Sequence, residues 1–248
     1  MSVLNLKIIV MKKQYAFCAI ILLAAIICSC VSSNELTAEN GMKIQRTKAV
    51  DLGLKSGTLW ASHNLGAKSP EGYGHYLAWG ETKPKKRYTW ANYSYLKSDP
   101  SDKEGHEFHT FSPKGRTILV GDKKADAATA LWGEKWCMPT KEQIDELLRD
   151  CDWTWTRLRG VNGFVVTGPN GQSIFMPAAG SYFETDTKCC AEGEILYYWC
   201  GELCSSEILV DRASCLIYEQ DYPKFYDRNG DRCDGKTVRP VMSRATKP

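Results

Sequence analysis

The sequence predicts an α+β fold, rich in strands with one or two short helices. Three observations carry that reading. Strand-like runs alternate with glycine-rich turns, one segment holds a complete helix-start signature, and another reads as a β-hairpin. In chain order, Thr58 to Ser62 and His75 to Trp79 have strand composition and are separated by turn-rich HNLGAKSPEGYG. The stretch from Lys97 to Lys124 is a long charged passage with scattered glycines and prolines, expected as a surface excursion. Ala125 to Trp132 is alanine-rich and stopped by Gly133, the pattern of a short helix with glycine just past its end. Next, Pro139 precedes Thr140, and Gln143 follows three residues later to complete a capping box. Ile144, Leu147, Leu148 and Cys151 then repeat at helical spacing, leaving Lys141, Glu142, Asp145, Glu146 and Arg149 to face water. Trp153 and Trp155 alternate as strand neighbours would. Gly163 to Pro177 predicts a hairpin about the turn Gly168-Pro169-Asn170-Gly171. Further strands are expected at Leu196–Trp199, Glu207–Val210, Ser214–Tyr218 and Lys236–Met242.

Before this domain stands a leader. Residues 11–30, MKKQYAFCAIILLAAIICSC, run from two lysines through an apolar stretch to small residues ending in Cys30. That order predicts a secretory signal over residues 1–29, with Met11 a more natural start than Met1. The apolar part, Tyr15 to Ile27, covers ~20 Å as a helix, whereas a bilayer core needs about 30 Å. Ile27-Cys28-Ser29-Cys30 resembles a bacterial lipoprotein box in which Cys30 is acylated; Cys28 fits worse because bulky Ile27 precedes it. The alternative is an uncleaved anchor helix. Both readings take the rest of the chain out of the cytoplasm, with membrane attachment through acyl chains. Residues 30–48 then read as lipidated cysteine and flexible stalk, since VSSNELTAENGMKIQ is polar and short of aromatics, and 49–248 as the domain.

Removing residues 1–29 takes away Lys7, Lys12 and Lys13 and no acid, leaving 29 of the 32 basic residues against all 29 acidic ones. A balanced chain lacks the basic face that nucleic-acid binding requires, so no nucleic-acid partner is expected. After Cys30, eight cysteines fall in the second half: Cys137, Cys151, Cys189, Cys190, Cys200, Cys204, Cys215 and Cys233. An even count in an oxidising compartment predicts two or three disulfides. Adjacent Cys189 and Cys190 are poorly placed to bridge each other and are expected to seek separate partners or stay reduced.

In collinear order, DLGLKSGTLWASHNLGA (51–67), GHYLAWGET (74–82), DAATALWGEKWCMPTKEQIDELL (126–148), CDWTWT (151–156), VNGFVVTGPNGQSIFMPAAG (161–180), YYW (197–199) and TVRPV (237–241) resemble the Fibrobacter succinogenes major paralogous domain. That family is widespread in secreted and lipid-anchored proteins of Bacteroidetes. The resemblance implies a C-type-lectin-like fold, also used by formylglycine-generating enzymes, and it implies no established activity. Two departures stand out. Cys137 replaces an arginine before Met-Pro-Thr, and Cys-Gly-Glu-Leu-Cys replaces a serine-rich stretch after Tyr-Tyr-Trp.

Several constellations are candidates for chemistry. Asp227, Asn229 and Asp231 space oxygens like the start of a calcium loop. The glycine expected at position six is Arg232, however, and position twelve is Val238, so a turn dense in Asp, Asn and Gly accounts for the run and no cofactor is expected. His106 and His109 lack a third metal ligand nearby and read as solvated loop residues. Cys200 and Cys204 invite comparison with the copper-binding cysteine pair of formylglycine-generating enzymes, with different spacing; a disulfide or structural thiols are the alternative. Trp132 and Trp136, four apart, are expected in the core, and Arg239 in an apolar strand is expected to be a structural fastener, pairing with a buried carboxylate or capping carbonyls. Tyr182, Tyr197 and Tyr198 are the candidate stacking platform for a glycan or protein ligand. The combined expectation is a lipid-anchored envelope or cell-surface protein, at the outer membrane, that binds rather than catalyses. The alternatives are a copper/thiol enzyme of the formylglycine-generating type and a structural subunit of an extracellular assembly.

Overall fold

The computed structural model describes residues 35–45, 48–97, 110–111, 119–183, 186–204, 211–219 and 222–243. The leader with Met11 and Cys30, the pair His106 and His109, and the strand expected at 207–210 lie outside them. The fold is α+β: small antiparallel sheets with two helices. β1 (Glu35–Thr37) pairs with β2 (Lys43–Gln45); β3 (Ala49–Asp51), β4 (Thr58–Ala61) and β13 (Val241–Ser243) form a sheet of order β13-β4-β3. β5 (Leu96–Lys97) pairs with β6 (Thr110–Phe111). Helices α1 (Ala127–Trp132) and α2 (Lys141–Asp150) precede two three-stranded meanders. These are β7 (Asp152–Leu158), β8 (Val161–Thr167) and β9 (Ser173–Pro177), then β10 (Leu196–Leu203), β11 (Arg212–Glu219) and β12 (Tyr222–Asp231).

The β10–β11 pair is buried on both faces, which follows from its sequence. Alternate side chains of LYYWC and SCLIY go to opposite sides. Tyr198, Cys200, Leu216 and Tyr218 pack with Ile144 and Leu147 of α2 and with Phe164, Val166, Ile174 and Met176 of β8–β9. Trp199, Cys215 and Ile217 pack on the other side with Leu77, Trp79, Ala128 of α1, Trp136 and Val238. Two indoles buried there find carbonyl acceptors. Trp199 Nε1 donates to the Leu77 carbonyl (2.7 Å) and Trp79 Nε1 to the Cys200 carbonyl (2.9 Å). Gly230 of β12 lies against the Trp199 ring, where a Cβ would come within 2.4 Å.

Local signals explain both helices. Asp126 caps α1, its Oδ1 accepting from Thr129 N, and the same carboxylate also accepts from Gly121 N and Met138 N. Burial raises its pKa while these N–H groups oppose the rise. Gly133 ends the helix at φ +92, a conformation open to glycine. Thr140 and Gln143 form the reciprocal capping box of α2. Ile144 and Leu147 are buried as their spacing predicts, but Glu146 is buried too, not solvated: its carboxylate accepts from Ser56 N and Ser56 Oγ. A residue 90 positions away in sequence supplies those donors, so helical periodicity alone could not place it.

Three further expectations differ. Residues 35–45 are not a flexible stalk: β1 and β2 close about Asn40-Gly41, with Met42 N donating to Asn40 Oδ1, and Ala38 and Ile44 pack on Leu158, Val165 and Phe175. Phe164 and Met176 face the centre while Val165 and Phe175 face this hairpin, so β8–β9 is covered on both sides. His75 to Trp79 is no strand; it makes one bridge, Leu77 with Lys236, because its partner segment is itself irregular. Lys236–Met242 is likewise broken. Gly235, Lys236 and Thr237 make isolated bridges and the ladder resumes only at Val241, past Pro240, which has no N–H to give.

Arg239, just before that proline, is fully buried. Its Nε donates to Asn64 Oδ1 (2.9 Å), Nη1 to Ala61 O (2.9 Å) and Nη2 to Phe175 O (2.8 Å). Its acceptors are thus two carbonyls and an amide oxygen, and they tie the end of β4 to β9. Lysine could not reach all three acceptors. Arg239→Lys is expected to lower unfolding free energy by about 2–4 kcal/mol, seen as a shifted denaturant midpoint at unchanged slope.

Candidate functional site

Of the three tyrosines singled out as a platform, the structure brings two to one region. Gly180, at φ +65 and too close to the Cys190 carbonyl for a Cβ, lets the chain turn past β10. Ser181 then bridges Cys190, and Tyr182 bridges Gly235 through paired backbone bonds of 2.9 and 2.8 Å. Successive side chains point to opposite sides, so Tyr182 and Phe183 serve two adjoining clusters. Tyr182 meets Tyr76 edge-on (5.0 Å) and Tyr88 tilted (5.5 Å). Both partners are pinned: the Tyr76 hydroxyl donates to Ala179 O and the Tyr88 hydroxyl to Tyr76 O. Phe183 meets Tyr197 edge-on at 5.6 Å. Tyr182, Phe183 and Tyr197 are each half-buried, with part of each ring open.

Tyr198 is elsewhere. It points to the opposite face of β10, is 1% exposed, donates to Pro177 O and accepts from Asn64 Nδ2. The alternation of β10 decides this: Tyr197 and Tyr198 cannot share a face. Among the other expected structural residues, Trp136 is buried and Trp132 half-buried, their rings edge-on at 5.1 Å, with Lys48 Nζ 4.3 Å from the Trp132 ring.

Beneath Phe183 and Tyr197 lies a feature that sequence reasoning missed. Lys236 is fully buried, its Nζ 2.5 Å from Asp234 Oδ2. The ammonium also sits 4.5 Å from the Trp199 ring, 5.2 Å from Phe183 and 5.9 Å from Tyr197. Burial raises the Asp234 pKa and Lys236 opposes that rise. Three ring faces and one carboxylate thus hold the charge and fix the rings above it. The Asp-Gly-Lys run was a signal of sorts, but the rings come from two segments distant from it, Phe183 and the β10 pair Tyr197 and Trp199.

The eight cysteines are thiols, with no disulfide joining them, in place of the two or three bridges expected. Geometry explains it. Cys200 and Cys215 sit on opposite faces of the β10–β11 pair. Cys200 and Cys204 are four residues apart along extended chain, ~13 Å at 3.3 Å per residue, where a disulfide needs Cα atoms within about 7 Å. Cys189 Sγ donates to Ala179 O and Cys190 Sγ to Asp186 Oδ2, so the adjacent pair diverges. Burial pushes Cys151 up to about 12 and Cys137, Cys189 and Cys215 up to about 11. Thiols that stay protonated at neutral pH are poor nucleophiles.

Among the described residues no group of three or more His, Cys, Asp or Glu is placed to hold a metal. The backbone of 227–231 belongs to β12 rather than to a turn, and Asp231 pairs with Arg212 at 3.0 Å; the side chains of Asp227 and Asn229 lie outside the described ones. Ser62 Oγ and His63 Nδ1 are 2.9 Å apart, but Ser62 is fully buried and out of reach of a substrate. Comparison with protein-family models, with curated proteins and with solved structures finds no match to this chain.

Two predictions follow from this geometry. Lys236→Met alone strands a buried carboxylate and should cost about 3–5 kcal/mol in denaturant unfolding; adding Asp234→Leu should restore most of it. His63, half-buried, has its pKa lowered to about 4, first by burial and then by Arg239 and Lys48. Unfolded chains bind that proton near pH 6.5, so stability is complete above that pH and declines as pH falls from 6.5 to about 4. Thermal unfolding across that window should show a shallower decline in His63→Gln.

Proposed function

We propose that this protein is a lipid-anchored envelope or cell-surface binding module for a glycan, acting without catalysis. The observation that carries the proposal is the gathering of half-exposed Tyr182, Phe183 and Tyr197 over the buried Lys236–Asp234 pair. Rigid aromatic faces with polar edges suit the apolar faces and hydroxyls of a sugar ring. Membership of the Fibrobacter succinogenes major paralogous domain family and a C-type-lectin-like fold are part of the same reading. They rest on the collinear segments from residue 51 to 241, as acylation of Cys30 rests on the leader pattern. The described fold starts at Glu35, five residues after that cysteine.

The copper/thiol alternative requires an accessible cysteine pair. Cys200 is fully buried and its pKa is raised, chiefly by burial, which argues for the binding reading.

The test uses the full chain in detergent on a glycan array, followed by titration of the best hit. Tyr182→Ala and Tyr197→Ala should each weaken binding ~3–10-fold, about 0.7–1.4 kcal/mol, measured well below the unfolding temperature of each variant, since both rings also pack on their neighbours. A protein that binds no saccharide yet turns over a thiol substrate with copper would sink the proposal. Fatty-acid labelling lost in Cys30→Ser is the expected result for the anchor.

A further inference from the structure

A cleft of about 230 Å³ is lined by Gly80 to Lys83, Lys85, Ser94, Tyr95 and Lys124. We infer that this cleft is an anion subsite neighbouring the aromatic cluster, and that the ligand is an acidic saccharide. This rests on the glycan reading above and names the ligand class.

The buried Tyr88 ring links the two regions by packing. Its ring lies 5.5 Å from Tyr182, its hydroxyl accepts from Lys85 N, and Lys85 Nζ lies 5.7 Å from its centroid. The cleft is built rather than incidental. Glu81 is buried at its base, with Oε1 accepting from Ser94 N (2.7 Å) and Oε2 pairing with Lys85 Nζ (2.8 Å). Lys85 also donates to Asn92 O at 3.1 Å, so its ammonium is held in one place. Among the described residues Glu81 is the only acid in the lining and is already paired, while Lys83 and Lys124 are exposed with no carboxylate partner. Two exposed ammonium groups thus stand beside the Tyr95 ring. Gly80, at φ +81, lets the Tyr95 ring lie along the cleft: a Cβ would come within 3.2 Å of it. Ammonium groups for a carboxylate and ring faces for the sugar together suit a uronic-acid type of unit.

The test titrates the full chain in detergent with tetragalacturonate, with a neutral tetrasaccharide and with sodium sulfate. The acidic tetrasaccharide should bind at least about tenfold tighter than the neutral one at low salt. High salt should erase that preference, and so should Lys83→Gln with Lys124→Gln, at unchanged thermal stability. Equal affinity for acidic and neutral sugars, or a preference indifferent to the lysine substitutions, overturns this inference and leaves the platform standing. Sulfate competing as well as the acidic sugar assigns the cleft to small anions and overturns the saccharide assignment. Binding of neither sugar overturns this inference together with the glycan reading.

Discussion

Burial of one strand pair on both faces is the constraint that orders this molecule. Once β10 and β11 have core on either side, most polar atoms buried against them are cut off from water and are held by internal partners. The indoles of Trp79 and Trp199 find carbonyls, the Tyr198 hydroxyl finds Pro177 and Asn64, and the Arg239 guanidinium collects three acceptors from separate segments. Lys236 is the extreme case, a buried ammonium held by one carboxylate and three rings. The irregular stretch 232–240 makes this work. It is too broken to be a strand, yet it delivers the Asp234–Lys236 pair to one site and Arg239 to another.

The same two-sided burial divides what could be read in the sequence from what could not. Caps and turns are local, so both helices and the 163–177 hairpin were legible from Asp126, Gly133, Thr140, Gln143 and the Gly168–Gly171 turn. Half of the platform was legible as well, because Tyr182 and Tyr197 stand out as large rings beside glycine-rich turns. Tyr198 was not separable from Tyr197 without knowing that both faces of β10 are covered. Glu146 read as solvated because its partner, Ser56, lies 90 residues away. The Lys236–Asp234 cage and the Lys85–Glu81 pair escaped for the same reason: their surroundings come from segments far apart in sequence.

Cysteine placement illustrates how a plausible count misleads. Eight thiols invite pairing, but a strand pair with two buried faces treats cysteine as a small apolar residue and distributes it by size. Cys200 and Cys215 fill opposite cores, and Cys189 and Cys190 turn away from each other to separate oxygens. Parity in the sequence is no guide when the strands themselves set the partners apart.

The β1–β2 hairpin bears on how the chain can be shortened. A domain boundary drawn by composition would fall near residue 46, just past the polar segment. Trimming there removes Ala38 and Ile44 and uncovers Leu158, Val165 and Phe175, a row of apolar side chains on the outer face of the β7–β9 meander. Such a truncated product would carry a sticky flank prone to self-association. Eleven modest residues, unremarkable by hydropathy, therefore act as the lid that keeps this face dry.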